Sequence, residues 1–370
     1  MHRKRAVAAI AWLMLVALAQ AARAGTIYSL RDLGTIGASA TAINGSGQMA
    51  GYAAMPDGSM LPALFGNQTT ILPGGQGQAA GINNGGTIVG TTWGQGTAQA
   101  TEWVNGQATP LSGLGGASSY GMAINNNNQA AGSAQLGNGQ SHAVVWSSDG
   151  VHDLGTLGGG WSAAYAINDN GQVTGASETT GGSFEAFSTS ANGIRSLGTL
   201  GGRSSQGFAV SDTGEIAGAA QTASGYYHAF TSSGMSLVDL GTLGGTQSYA
   251  YGLNNLGDVV GYSYTAQGER HAFLYSNGVM VDLNALLPLL EGWTITDAFA
   301  INDAGLIAGS ALVDGVDHAF ELTPDYSGSP VAPTPEPLST LGVGLALVVG
   351  GMFYRRRYHR NANRRDERLG

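Results

Sequence analysis

The chain of 370 residues contains no cysteine. That removes disulfide scaffolds, cysteine nucleophiles and Cys-ligated zinc or iron–sulfur centres from consideration. Proline is scarce, at 10 residues, and no Gly-X-Y period runs along the chain; a collagen-like triple helix is excluded. Charged residues make up only 11%, and positive charge is the scarcest in the body of the chain. Between the two termini stand only Arg31, Arg195, Arg203 and Arg270, four basic residues against 21 acidic ones from Asp32 to Asp325, a formal charge of −17. A body this acidic repels phosphate backbones, so nucleic acid is excluded as a partner. What the chain has in quantity is glycine, 61 residues or about 16%, against roughly 7% in ordinary proteins. Its hydrophobic content of 43% excludes a disordered polar tract.

The two ends read as addresses. Residues 1–24 start basic, run apolar over 6–19 and finish on Ala22-Arg23-Ala24. This pattern defines a secretory signal peptide, with cleavage by signal peptidase expected between Ala24 and Gly25. At the other end a Pro-rich linker, 326–337, leads to an apolar run of 17 residues, 338–354, and Arg355, Arg356 and Arg357 follow at once. Seventeen residues is the lower limit of a membrane helix. The arginines put the tail 355–370 in the cytoplasm and the body outside. The order of Pro335-Glu336-Pro337, apolar run and arginine cluster resembles the PEP-CTERM sorting signal of Gram-negative bacteria. The resemblance implies processing by an exosortase. It also implies a place at the cell surface or in the extracellular matrix, with transient or stable anchoring in the inner membrane through the C-terminal helix.

The body, 25–325, is one unit repeated seven times. An apolar-Asn-x-x-Gly-x-x-x-Gly motif has its second residue at Asn44, Asn83, Asn125, Asn168, Ser211, Asn254 and Asn302, at spacings of 39, 42, 43, 43, 43 and 48. Its closing glycine is present every time, at Gly51, Gly90, Gly132, Gly175, Gly218, Gly261 and Gly309. The inner glycine is replaced once, by Asn128, and Asn tolerates a left-handed backbone best after Gly. A DLGTLGG motif starts at Asp32, Asp153, Ser196 and Asp239, with degenerate forms at Ile71, Pro110 and Asp282. A third motif, HAF, starts at His142, His228, His271 and His318, with variants at Pro62, Gln99 and Glu185. Three motifs in fixed order resemble the HAF-repeat family of extracellular bacterial proteins over about residues 28–322. The resemblance brings no ligand and no reaction with it.

Within the copy 239–281, segments 248–253, 258–264, 270–276 and 279–283 read as short strands, separated by Asn/Gly turns. Four strands in about 43 residues is the size of a propeller blade. The body begins with a lone fourth strand, 26–34, and ends on a third strand lacking its fourth. The expected fold is therefore all-β: a seven-bladed β-propeller of seven four-stranded repeats, closed by the N-terminal strand, with the signal peptide and the transmembrane helix attached. The insertion after Asp282 is expected to form one helical turn.

Repetition also decides the chemistry. Equivalent histidines in different repeats lie far apart, so the HAF histidines are expected to be structural, bonding backbone, and to build no metal site. The aspartates of the DLG motif and the repeated asparagines are expected to form turns. Segments such as Asn168-Asp169-Asn170-Gly171 lack the alternating acids and final Glu of a calcium loop. Calcium therefore rests on the acidity of the body alone, and no other cofactor is expected. No nucleophile elbow or phosphate loop stands in its required context, and no catalytic residue is assigned. What varies between repeats is the segment after Gly-Gly, where Trp161, Tyr120 and Arg203 can stack on or hydrogen-bond a sugar. The expected function is binding or scaffolding of exopolysaccharide or surface partners. The alternatives are a glycan-active enzyme and a calcium-stabilised structural surface protein.

Overall fold

The computed structural model describes residues 27–325 apart from 95, 191, 192, 235 and 289–291. The expected signal peptide with its cleavage position at Ala24 and Gly25, the linker with Pro335, Glu336 and Pro337, the run 338–354 and the tail with Arg355, Arg356 and Arg357 lie outside the described residues.

Each repeat folds as four antiparallel strands. In the sixth these are Gly244–Leu253, Val259–Thr265, Arg270–Ser276 and Val279–Asp282. The turn after Leu253 forms because Asn254 accepts from Gly257 N at 3.2 Å and donates its own amide to Asp258 O at 3.1 Å. Gly257 takes a φ of 81°, which a side chain would strain. The closing glycines have a steric cause. A β-bulge in the first strand of each repeat brings a carbonyl over the second strand, and a Cβ on any closing glycine would lie 1.8 to 2.1 Å from that oxygen.

The core lies between repeats. Seven clusters each join residues of two successive repeats. Ala143 and Val145 of the third pack with Ile167, Val173 and Phe187 of the fourth. Ala308 and Ala319 of the seventh pack with Met49 and Phe65 of the first. The HAF phenylalanines Phe187, Phe230, Phe273 and Phe320 are fully buried in this way. The chain ends meet as the split repeat requires. Ile27–Ile36 pairs antiparallel with Val316–Asp325, Leu30 opposite Leu322, and Arg31 forms an ion pair with Glu321.

A circuit of turn asparagines ties the repeats at one end. Asn44 Nδ2 donates to Asn83 O, Asn83 to Asn125 O, Asn125 to Asn168 O and Asn168 to Ser211 O, at 2.7 to 3.1 Å. Asn254 donates to Asn302 O, and Asn302 returns to Asn44 O at 3.0 Å. A second row runs beside it, in which Asn126 N donates to Asp169, Asp169 N to Asp212 and Asp212 N to Asn255.

Two expectations are corrected. The strands form six sheets, five of four strands and one of eight, and no sheet closes on itself. The expected seven-bladed β-propeller of seven four-stranded repeats is replaced by this all-β arrangement. The cause of the joined sheet is local: in the third and fourth repeats Ser141 and Trp161 come into parallel register and link their strands. The transmembrane helix, the membrane as a partner and anchoring in the inner membrane are corrected for the described residues only, since 338–354 lies outside them. Among the described residues no helix is long and apolar enough to cross a membrane. The insertion gives only a 3-10 turn, Leu283–Leu286, capped by Asp282, whose side chain accepts from Asn284 N at 2.9 Å.

Candidate functional site

The sixth repeat carries tyrosine on alternate positions of two neighbouring strands, Tyr249 and Tyr251 on the first, Tyr262 and Tyr264 on the second. Alternation puts each pair on one face. The register sets Tyr249 directly opposite Tyr262, and their rings stack at 5.0 Å with 14° between planes. Tyr262 also meets Tyr251 at 5.7 Å and Tyr264 edge-on at 6.0 Å. Tyr227 of the fifth repeat stacks on Tyr249 at 5.6 Å. A row of rings from equivalent positions of four repeats runs through the cluster: Tyr165, Phe208, Tyr251 and Phe299, 5.3 to 5.6 Å apart. Burial pushes Tyr251 up to about 12, raises Tyr262 further and raises Tyr249. All three are phenols at neutral pH, with hydroxyls that donate.

Arg270 joins this cluster to a cleft. Its guanidinium lies 3.8 Å from the centre of the Tyr262 ring, a cation–π contact. It also forms an ion pair with Asp297 of the seventh repeat. Asp297 is 7% exposed. Burial raises its carboxyl, Arg270 opposes that rise, and the nearby charge of Asp317 adds to it. Asp317 is exposed. These groups line a cleft of about 470 Å³ with Glu269, Thr294 and Thr296, within the 300–1,000 Å³ or so of small-molecule sites. Tyr52 of the first repeat feels the same two carboxylates; burial raises it chiefly, a hydrogen bond with Ser39 opposes, and Asp317 and Asp297 add.

The residues singled out from sequence are not gathered there. Trp161 lies in the strand Gly158–Ile167, not in a loop, and packs edge-on against Phe184 at 5.4 Å. Tyr120 is 39% exposed in the strand Gly115–Ile124. Arg203 is exposed in Gly201–Val210, its backbone N donating to Gln221 Oε1 at 2.9 Å. Among the described residues no hydrogen bond, ion pair or ring contact joins the three.

The HAF histidines bond carboxylates, where bonds to backbone were expected. His142 Nδ1 lies 2.8 Å from Asp153, His228 3.0 Å from Asp239, His271 2.6 Å from Asp282 and His318 3.2 Å from Asp32. Each pair crosses from third to fourth strand of one repeat. Asp32, Asp153 and Asp239 also accept the amide two residues on, closing the turn. In the fourth repeat both partners change together, and Ser196 Oγ donates to Glu185.

A second cleft, about 870 Å³, holds Ser147, Asp149 and His152. These are the residue types of an acyl-transfer triad in the wrong arrangement. His152 Nε2 lies 3.0 Å from both Ser147 Oγ and Asp149 Oδ1, and Ser147 Oγ donates to that carboxylate at 2.5 Å. A triad needs the carboxylate on the other ring nitrogen. Here it accepts the serine hydroxyl's hydrogen bond itself. Among the described residues no group of three or more His, Asp or Glu is arranged to hold a metal ion.

No family model matches the chain, and no curated protein matches it. Among solved structures it is similar to a puromycin-hydrolysing peptidase of Mycobacterium tuberculosis, at 13% identity and TM-score 0.52, over 75% of this chain and 49% of that one. It is also similar to TolB from Acinetobacter baumannii, at 14% identity and TM-score 0.46, over 76% of this chain and 64% of that one. The WD40 beta propeller domain of Doa1 aligns at 13% identity and TM-score 0.47, over 80% and 96%. The chain spans about half the length of the peptidase and 64% of TolB. The likeness is distant and one of fold alone.

Proposed function

We propose that residues 27–325 are the glycan-binding body of an exported HAF-repeat protein, and that its ligand is exopolysaccharide at the cell surface or in the matrix. Export rests on the signal pattern of residues 1–24, and sorting on Pro335-Glu336-Pro337. The observation that carries the reading is the tyrosine cluster continuous with a polar cleft through Arg270. Aromatic faces cover the C–H faces of a sugar, while phenol hydroxyls, a guanidinium and carboxylates meet its hydroxyls. Trp161, Tyr120 and Arg203 enter as outlying contacts. Catalysis is not part of the reading, because the most buried carboxyl of the cleft is tied to Arg270.

Co-sedimentation of the full chain with the host's polysaccharide tests it. Saturable binding is expected, with Arg270→Gln and Tyr264→Ala each weakening it about tenfold or more, by loss of a charged hydrogen-bonding partner or an aromatic face. Trp161→Ala is expected to weaken it less. No binding sinks the glycan reading. Release of reducing ends by the purified chain would move it to the glycan-active enzyme.

A further inference from the structure

Charge at the cleft is lopsided. Glu269, Asp297 and Asp317 bring three carboxylates, against the single guanidinium of Arg270. That guanidinium is already committed, to Asp297 and to the face of Tyr262. Asp317 has no hydrogen bond or ion pair from its carboxylate among the described residues, and its charge is felt by both Asp297 and Tyr52. A sugar acid or a sulfated sugar entering here meets uncompensated negative charge, in a body that carries −17 overall. An ammonium group meets the opposite: a carboxylate without a protein partner among the described residues, and a second one beside it.

Building on the glycan reading above, we propose that the cleft selects saccharides carrying a free primary amine, with the ammonium held by Asp317 and the sugar ring lying in the cleft beside Arg270. Three features converge on this: a cavity of sugar size, an excess of carboxylates over cations in its lining, and an exposed carboxylate at its edge with no hydrogen bond or ion pair among the described residues. Arg31, Arg195 and Arg203 line no part of this cleft; His271 does, with its Nδ1 2.6 Å from Asp282 and its Nε2 3.7 Å from Glu269, which leaves Asp317 as the carboxylate of the lining without an ion pair among the described residues.

The test is titration of the full chain with four hexamers at one ionic strength: β-linked glucosamine, the same oligomer fully N-acetylated, a uronic-acid oligomer and hexalysine. The glucosamine hexamer is expected to bind at least about tenfold more tightly than its N-acetylated form, the worth of one charge-assisted hydrogen bond. Asp317→Asn is expected to remove most of that preference without changing the melting temperature, since the side chain is exposed and its carboxylate holds no partner. Equal binding of the two glucosamine forms overturns the amine proposal and leaves the glycan reading standing. Tighter binding of the uronate overturns it as well. Hexalysine binding as tightly as the amino sugar makes the site a reader of charge alone and overturns it. Absence of binding to all three saccharides removes the glycan reading and this proposal together.

Discussion

Replacing Asn168 with alanine tests whether the turn asparagines hold repeat to repeat. The residue is 4% exposed. Its Nδ2 donates to Ser211 O at 2.7 Å, and its Oδ1 accepts from Asn170 N at 3.1 Å and Gln172 N at 2.8 Å. A fourth contact, to Gln172 Oε1 at 3.4 Å, is long. Each good bond contributes about 0.5–1.5 kcal/mol net, so the three together contribute about 2–4 kcal/mol. The molecule contains its own comparison. Ser211 occupies the same slot in the fifth repeat; its hydroxyl accepts from Glu215 N at 3.2 Å and pairs with Thr213 at 2.8 Å. Among the described residues no bond from its side chain reaches the sixth repeat, so Ser211→Ala should cost only about 1 kcal/mol. Urea unfolding followed by circular dichroism measures both, as shifts in midpoint at unchanged slope. If Asn168→Ala costs no more than Ser211→Ala, the bond between repeats carries no weight and the reasoning fails.

Ser211→Asn restores the missing bond to Asn254 O and should stabilise the chain by about 1 kcal/mol; an unchanged urea midpoint would count against the circuit. Gly175→Ala places a Cβ 1.9 Å from Ala163 O, and the backbone shift that follows should destabilise by at least about 2 kcal/mol. A melting temperature equal to wild type would show that the bulge yields freely. Asp149 is held down to about 2, from an ordinary value of 3.8, by the Ser147 hydroxyl first and by His152. The carboxylate's favourable contacts are therefore present above about pH 4 and are lost as pH falls toward 2. Carboxyl carbon-13 NMR should give a midpoint near 2, moving toward 3.8 in Ser147→Ala; a midpoint near 3.8 in the native chain contradicts the geometry.

The repeat was legible because its determinants are local. Asn254 and Gly257 mark a turn by residue type, and Gly261 marks the close approach of a bulge. The expected strand 270–276 coincides with Arg270–Ser276. The first strand starts earlier than its alternation suggests, at Gly244 rather than 248, because glycines hide the pattern. The joined sheet depends on a single pair, Ser141 and Trp161, which no periodicity encodes. The His–Asp pairs did leave a signal. His142 and Asp153, His228 and Asp239, and His271 and Asp282 share an offset of 11 residues, and so do Glu185 and Ser196. The segments that vary after Gly-Gly point to Trp161, Tyr120 and Arg203. The denser clue lay in SYAYGL and GYSYT, whose tyrosines alternate within one repeat. The link from Arg270 to Asp297 spans 27 residues and two repeats, and only the packing of one repeat against the next brings it about.

The most direct measurement is hydrogen–deuterium exchange of the full chain with and without saturating exopolysaccharide. Slowed exchange is expected in peptides covering 244–265 and 293–297, beside the tyrosines and Asp297, with little change at the asparagine turns of the opposite end. Protection confined to 158–162, around Trp161, or protection nowhere while the polysaccharide is bound, would contradict this expectation.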